Sequence, residues 1–326
     1  MRAALVTGGA GYIGSHACKA LARSGWHPVS YDDLSLGHRA LVKWGPLEEG
    51  DIRDRARLDA VFARWRPQAV LHFAALSQVG ASVRQPDLYC DVNVAGTECL
   101  LGAMQTAGVD TLVFSSTAAV YGVPAHLPIT ETTPVAPTNP YGETKVAAEA
   151  AIRRAAESGK LRYAILRYFN AAGGDPDGET GESHEPETHL IPNALAAALG
   201  KAPALELFGD DYPTPDGTCI RDYIHVSDVA EAHVLALSRL AESPAPVVCD
   251  LGTGKGVSVR EIVAAIEAVT GRAVPIRKAP RRPGDPPVLY TAAQSAQREL
   301  DWRPERSDLT SIIRDALIWQ TSCKPT

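Results

Sequence analysis

Tyr141 and Lys145 stand four residues apart in Asn139-Pro140-Tyr141-Gly142-Glu143-Thr144-Lys145, where a helical pattern begins that runs to about Glu157. Side chains at i and i+4 share one face of a helix, one turn apart. An ammonium near a phenol favours the phenolate, so the Tyr141 pKa is expected below its ordinary value of about 10. A tyrosine tuned in that way serves as a general base and acid near neutral pH. Taken alone, such a pair is an ordinary surface contact and gains meaning only from its surroundings. Ser115-Ser116-Thr117 closes the apolar run that begins at Thr111. In an open α/β sheet ligands bind beyond that end of a strand. Thr117 could donate there to a substrate oxygen and share a proton with Tyr141.

A second constellation lies at the start of the chain. Arg2–Val6 reads as a short buried strand and Ser15–Leu21 as the opening of a helix, with Thr7-Gly8-Gly9-Ala10-Gly11-Tyr12-Ile13-Gly14 between them. Gly9, Gly11 and Gly14 satisfy G-x-G-x-x-G, and Gly8, Gly11 and Gly14 its looser form. Such glycines allow a tight reversal, the close approach of a pyrophosphate and close packing of helix on strand. The helix N-terminus adds free N–H groups and partial positive charge. A second apolar strand, Pro28–Tyr31, ends in Asp32-Asp33, and Asp32 follows Gly14 by 18 residues. That is near the spacing of an acid that binds an adenosine ribose. A carboxylate there would repel a 2′-phosphate, so NAD is expected rather than NADP. A nicotinamide's positive charge would reinforce the lowering of the Tyr141 pKa.

These sites must be held by alternating strands and helices. Ala69–Phe73, Thr111–Ser115 and Tyr163–Tyr168 are continuous apolar runs, and Arg55–Trp65, Leu88–Ala107 and Tyr141–Glu157 read as helices. Such runs separated by helices indicate a parallel sheet covered on both faces. The expected fold class is α/β, a Rossmann-type doubly wound parallel sheet with a smaller C-terminal α/β substrate lobe. The NAD-binding domain is expected over 1–168 and the lobe over 169–326, with the chain returning to the first domain around 221–251. In the second part, helices are expected at Leu190–Leu199, Val226–Leu240, Val259–Val269, Ala293–Leu300 and Leu309–Gln320, and a strand at Val247–Leu251. The segments 171–188, 209–217 and 278–287 read as loops.

Composition bounds the function. The chain has 326 residues, 45% of them hydrophobic, and a net charge of −6. This is ordinary for a globular protein and gives no reason to expect nucleic acid or a membrane surface as partner. There is no apolar run of about 18 residues. The sequence opens directly on a strand with no signal-peptide pattern, so a cytoplasmic protein is expected. Cys18, Cys90, Cys99, Cys219, Cys249 and Cys323 form no C-x-x-C pair and are expected as reduced thiols. His184 and His189 flank acidic residues, but Pro186 and the spacing do not match H-E-x-x-H, and a loop without metal is expected there.

With these residues in view, the chain resembles the extended short-chain dehydrogenase/reductase superfamily and, within it, the UDP-galactose 4-epimerases. The supporting strings are TGGAGYIGSH (Thr7–His16), FSSTAAVYG (Phe114–Gly122), NPYGETK (Asn139–Lys145), LRYFN (Leu166–Asn170), GDDYPTPDGTCIRDYIHV (Gly209–Val226) and RRPGD (Arg281–Asp285). They follow the family order over nearly the whole chain, and the long Gly209–Val226 string is far more selective than the glycine turn. The resemblance implies NAD contacts from Gly8, Gly11, Tyr12, Ile13, Gly14, Asp32, Asp33, Asp51, Ile52, Phe73, Ala74, Ala75, Ser77, Asn93, Thr117, Tyr141, Lys145, Tyr168 and Phe169. It implies a UDP-sugar bound by Thr117, Tyr141, Asn170, His189, Glu206, Leu207, Phe208, Arg221, Arg282, Asp285 and Leu289. Guanidinium forks such as those of Arg221 and Arg282 match diphosphate oxygens.

The implied reaction interconverts UDP-galactose and UDP-glucose through a 4-keto sugar, with Tyr141 as base, Thr117 assisting, and NAD regenerated within each cycle. Ser77 stands where some relatives carry a lysine, Phe73-Ala74-Ala75 where some have Phe-Ala-Gly, and His189 where some have asparagine. Leu289 falls where residue size gates the sugar pocket, intermediate between a large tyrosine and a small residue that admits N-acetyl sugars. Alternatives are a main substrate among UDP-N-acetylhexosamines or UDP-xylose and UDP-arabinose, a nucleotide-sugar 4,6-dehydratase, or a non-catalytic NAD sensor. The dehydratase pattern needs an acid where Thr117-Ala118-Ala119 has none, and a sensor could dispense with Tyr141 or Lys145. A homodimer is implied, with Leu88–Ala107 and Tyr141–Glu157 as candidate interface helices.

Overall fold

The computed structural model describes residues 2–157, 159–282 and 284–322. Cys323 and Pro283 of the RRPGD string lie outside the described residues. The first part of the chain forms β1 (Arg2–Thr7), α1 (Tyr12–Arg23), β2 (Trp26–Asp32), β3 (Leu47–Glu49), α2 (Arg55–Trp65), β4 (Ala69–His72), α3 (Val79–Arg84), α4 (Pro86–Cys90), α5 (Gly96–Ala107), β5 (Thr111–Thr117), α6 (Pro140–Ala156) and β6 (Arg162–Tyr168). The second part forms β7 (Asn170–Ala172), α7 (Leu190–Ala198), β8 (Leu205–Phe208), β9 (Ile220–His225), α8 (Val226–Glu242), β10 (Val247–Leu251), β11 (Gly256–Ser258), α9 (Val259–Thr270), β12 (Ile276–Ala279), β13 (Val288–Leu289), α10 (Gln294–Leu300) and α11 (Leu309–Thr321).

Seven parallel strands form the large sheet in the order β10-β6-β5-β4-β1-β2-β3. This is the doubly wound order with a seventh strand at one edge, and its switch point falls between β1 and β4. The strands are apolar throughout because both faces are covered. On one face Leu21 of α1 and Leu237 of α8 close over Val6, Leu71 and Leu166. On the other, Phe62 of α2, Met104 of α5 and Ile152 of α6 close over Leu5, Val70 and Ile165. The chain returns to this sheet at β10, which pairs with β6 from Val247↔Ala164 to Leu251↔Tyr168.

The lobe has its own core, where Ile191 and Leu195 of α7, Ile262 and Ile266 of α9, and Ile312 and Ile313 of α11 meet. Its strands are short. β9 pairs with β7, β11 and β13, and β8 with β12. None of β3, β7, β8, β9, β11, β12 or β13 stands out in the sequence as a strand. They are two to six residues long, and buried β9 carries Arg221, Asp222 and His225, which hide its character.

The helix expected at Leu88–Ala107 is interrupted. α4 is followed by a five-residue π-turn, Asp91–Ala95, before α5 begins at Gly96. Gly96 sits against Ile52, where a Cβ would come within 2.5 Å of Cδ1. Single π-turns inside helices often re-aim side chains at functional sites, and this one carries Asn93. No helix among the described residues is long and apolar enough to cross a membrane. Cys18, Cys90, Cys99, Cys219 and Cys249 are free.

Candidate active site

Thr117 ends β5 and caps the short 3-10 turn Ala118–Tyr121, its Oγ1 accepting from the Ala119 N–H at 3.2 Å. Tyr141 opens α6, whose start is set by Asn139 as N-cap (Oδ1 accepts from the Gly142 N–H, 2.9 Å) and by Pro140 in the first turn. Thr117 lies close enough to the Tyr141 phenol to favour its ionised form. Lys145 lies one turn along, buried, its Nζ donating to the Ser115 carbonyl at 2.9 Å and lying 4.9 Å from the Phe114 ring centre.

One expectation changes here. Burial pushes the Tyr141 phenol up to about 12, and Thr117 only partly opposes it. Burial likewise lowers Lys145 to about 8, with Glu149 acting against that shift. The ammonium is engaged by the Ser115 carbonyl, so desolvation outweighs it at the phenol. The lowered Tyr141 pKa expected from spacing is absent from the protein alone, and a positive charge against the phenol is what would restore it.

The cofactor candidates gather at the same C-terminal edge of the large sheet. The Gly8–Gly14 turn joins β1 to α1, whose N-terminus has Gly11 as N-cap, no side-chain cap and no acid in its first turn. Two glycines are required by packing: a Cβ on Gly14 would lie 2.0 Å from the Gly8 carbonyl oxygen, and one on Gly8 (φ +73°) 2.6 Å from the Ala74 nitrogen. At Gly11 only the Gly8 oxygen is near, at 3.2 Å, so open space lies over the helix N-terminus. A free helix N-terminus facing open space fits a pyrophosphate. Asp32 ends β2, buried, its carboxylate accepting from the N–H groups of Ala10 (3.0 Å) and Leu34 (2.9 Å). Burial raises its pKa and those two donors oppose the rise. The cradle therefore fits a dinucleotide.

The other cofactor candidates separate by environment. Phe73, Ala74 and Ala75 line the turn after β4, where the Phe73 and Ala74 N–H groups bond the Thr7 carbonyl. Phe73 packs on His233, and Ser77 is exposed. Asn93 accepts from the Leu76 N–H (2.8 Å) and donates to the Leu76 carbonyl and to Thr144 (3.0 Å each), so it clasps this turn to α6. Ile52 is buried, and the Tyr12 hydroxyl donates to the Gly173 carbonyl at 2.8 Å. Asp33 faces outward and accepts from Ser35, and Asp51 is held by Arg53. Tyr168 ends β6 with its hydroxyl on Ser115. Ile13 lies in the first turn of α1.

The substrate candidates line the lobe side. Leu289 packs against a buried cluster of Ala118, Tyr121, Ile129 and Phe169, the last of them a cofactor candidate. Leu289 of β13 is paired with Arg221 of β9, which puts it beside an arginine. Arg221 reaches Asp285 at 3.4 Å. Arg282 lies over the Phe208 ring, 4.0 Å from its centre. Glu206 shares the Phe208 face of β8 and is exposed and paired with Arg277, while Leu207 is buried on the other face. Asn170 is exposed at the start of β7. His189 is the N-cap of α7.

Around His189 the structure collects groups that the sequence reading left unconnected. Its Nδ1 is 2.6 Å from Glu182 and 2.9 Å from Glu187, and His184 Nδ1 lies 3.2 Å from the same Glu182 oxygen. These carboxylates raise His184 to about 9 and His189 to about 10 against the lowering by burial, and the histidines draw Glu187 well below the usual carboxylate range. Four potential ligand atoms stand within 4.8 Å of one another, yet they pair as two cations with two anions. The E-x-H-x-x-E-x-H spacing was the available signal.

Residues 4–252 match the NAD dependent epimerase/dehydratase family, a span that ends just past β10. The chain belongs to that family. A relative described as UDP-glucose 4-epimerase, from Rhizobium leguminosarum bv. trifolii, is 52% identical over 315 residues, covering 97% of this chain and 96% of its own. The crystal structure of UDP-glucose 4-epimerase from Brucella ovis in complex with NAD is 52% identical, with a TM-score of 0.95 over 97% of this chain and 98% of that one. The Bifidobacterium longum UDP-glucose 4-epimerase, solved with NAD+ and UDP, is 38% identical at a TM-score of 0.94, with 98% of each chain covered. These relatives place this chain among NAD-dependent isomerases rather than lyases of the same fold.

Proposed function

We propose that the protein interconverts UDP-galactose and UDP-glucose by oxidation and re-reduction at the sugar C4. The observation that carries the reading is Tyr141 at the start of α6, beside Thr117 at the end of β5 and one turn from buried Lys145, in a chain that matches curated 4-epimerases over nearly its full length. Bound NAD supplies reversible hydride transfer at C4. Gly8, Gly11 and Gly14 leave room for its pyrophosphate, Asp32 would take its adenosine ribose, and Lys145 would contact it beside Tyr141.

Tyr141 takes the proton of the 4-hydroxyl as C4 is oxidised and returns it to the 4-keto oxygen after the sugar has turned over. Thr117 shares the hydrogen bond during both transfers. Arg221 and Arg282 hold the diphosphate while the sugar moves, so remote binding energy retains an intermediate that would otherwise diffuse away. Phe208, stacked with Arg282, offers a flat face for the uracil. Leu289 sets the room available at the sugar, and its intermediate size leaves a UDP-N-acetylhexosamine as the second substrate to test. In the same reading the enzyme is a cytoplasmic homodimer, joined through the faces of α4–α5 and α6.

The test is direct. Purified protein given UDP-galactose and no added coenzyme should form UDP-glucose, and the heat-denatured protein should release NAD. No turnover together with no released dinucleotide would refute the reading.

A further inference from the structure

A buried chain of polar groups lies behind the candidate catalytic face of α6. Tyr141, Lys145 and Glu149 occur at i, i+4 and i+8, and so lie along one side of the helix. Glu149 is 4% exposed. Its carboxylate accepts from the Ser116 hydroxyl at 2.6 Å and from Arg167 Nε at 2.9 Å and Nη2 at 2.5 Å. Ser116 and Arg167 are register neighbours on β5 and β6, and Arg167 and Asp250 are neighbours on β6 and β10. Arg167 also donates to the Tyr121 hydroxyl at 2.9 Å, which donates to Asp250 at 2.8 Å. Helix α6 is thus tied to the end of β5 by two rungs, Lys145 to the Ser115 carbonyl and Ser116 to Glu149.

We infer that Glu149 is a positioning residue for the reaction: clamped by Arg167 and Ser116 one turn behind Lys145, it keeps the Lys145 side chain charged and holds the helix face that presents Tyr141. The role rests on the reading of Tyr141 and Lys145 as the reactive pair. Lys145 has few other charges near it. On its own helix there are Tyr141 and Glu149. From β5 come the Phe114 ring and the Ser115 carbonyl, and from β6 Tyr168, which is bonded to Ser115. From β4 comes His72, held between Thr7 and Thr97 and kept neutral by burial. The π-turn faces α6 with neutral Asn93, which bonds Thr144, while its Asp91 is turned outward onto Arg53, and the Tyr89 phenol of α4 lies toward Tyr141. Burial lowers Lys145 to about 8, and Glu149 is the group that opposes it. A Glu149→Gln change removes that anion and leaves Arg167 with Asp250 as its remaining carboxylate neighbour. Loss of the anion disfavours a charged Lys145.

The experiment follows the holoenzyme by two readouts, the alkaline limb of kcat and the titration of Lys145 itself by ε-13C NMR, in a chain with eight lysines. In Glu149→Gln both midpoints should fall by about one pH unit, which lowers kcat by up to about tenfold above the wild-type midpoint and leaves it nearly unchanged two units below it. Glu149→Asp, which keeps the charge, should restore most of the shift. If Glu149→Gln does not fold, the charge-balanced pair Glu149→Gln with Arg167→Gln takes its place, with a fall in the Lys145 midpoint again expected. An unchanged Lys145 midpoint in a folded variant overturns the role. A wild type that fails to convert UDP-galactose would instead refute the activity and leave the Lys145 titration to decide the role of Glu149.

Discussion

Across the crevice, the side chains on the large sheet and those on the lobe are held in different ways. Asp32, Asn93 and Lys145 are 7%, 2% and 3% exposed, and each is bonded to backbone groups of a neighbouring element. Arg282 and Glu206 are exposed, and Arg221 reaches Asp285 only at 3.4 Å. The first group is set before any ligand arrives. The second holds its side chains by surface contacts, Arg282 on the Phe208 ring and Glu206 on Arg277, so any re-ordering on binding costs about 0.5–1.5 kcal/mol for each immobilised side chain. A preorganised side suits a coenzyme that stays through many turnovers, and a loosely held side suits a nucleotide sugar that enters and leaves each time.

Substitutions can break or sharpen this contrast. The largest effect is expected at Tyr141. Tyr141→Phe should lower kcat by about 10²–10⁴-fold, the usual worth of a positioned acid–base group, with the NAD content of the purified protein unchanged. Loss of NAD together with activity would merge the two sides of the crevice. Next comes Arg282→Ala. A charged hydrogen bond is worth about 1.5–3 kcal/mol, so KM for UDP-galactose should rise at least about tenfold with NAD content intact. A kcat effect without a KM effect would remove Arg282 from the diphosphate anchor. A smaller change is expected for Leu289→Tyr, which should lower kcat/KM for UDP-N-acetylgalactosamine relative to UDP-galactose by about tenfold. An unchanged ratio would show that β13 does not gate the sugar.

The smallest effect concerns pH and stability. His184 and His189 have folded pKa values of about 9 and about 10, above the ordinary value near 6.5. Their contribution to stability is therefore fully present below about pH 6.5 and is lost as pH rises through 9 to 10. A Tm that declines over that range in the wild type should decline less in His189→Asn. Equal slopes would show that the Glu182–Glu187 pairing adds nothing.

The sheet was legible in the sequence for a physical reason. Strands buried on both faces are continuous apolar runs, and the spans expected at Arg55–Trp65 and Val247–Leu251 coincide with α2 and β10. The lobe was less legible. Its strands are short, and β9 owes its burial to the partners of its polar side chains, with Asp222 accepting from Thr253 and Gly254, rather than to apolar alternation. The π-turn left no trace, because Asp91–Ala95 keeps helical residue types and only the fit of Gly96 on Ile52 reveals the altered register. In the candidate site, motif spacing singled out Tyr141, Lys145 and Thr117, which the structure brings together where α6 packs on the end of β5. Spacing did not anticipate the upward push of burial on the Tyr141 phenol, because desolvation depends on the folded surroundings. Glu149 and Arg167 carry no local signal of pairing, since 18 residues separate them.

The central claim is that hydrogen leaves the sugar C4 and returns to it without leaving the protein. UDP-galactose deuterated at C4, incubated with the enzyme and excess unlabelled NADH in the medium, tests this directly by mass spectrometry of the product. The account predicts UDP-glucose with the deuterium retained at C4. Label diluted by the external NADH or lost to water would contradict it.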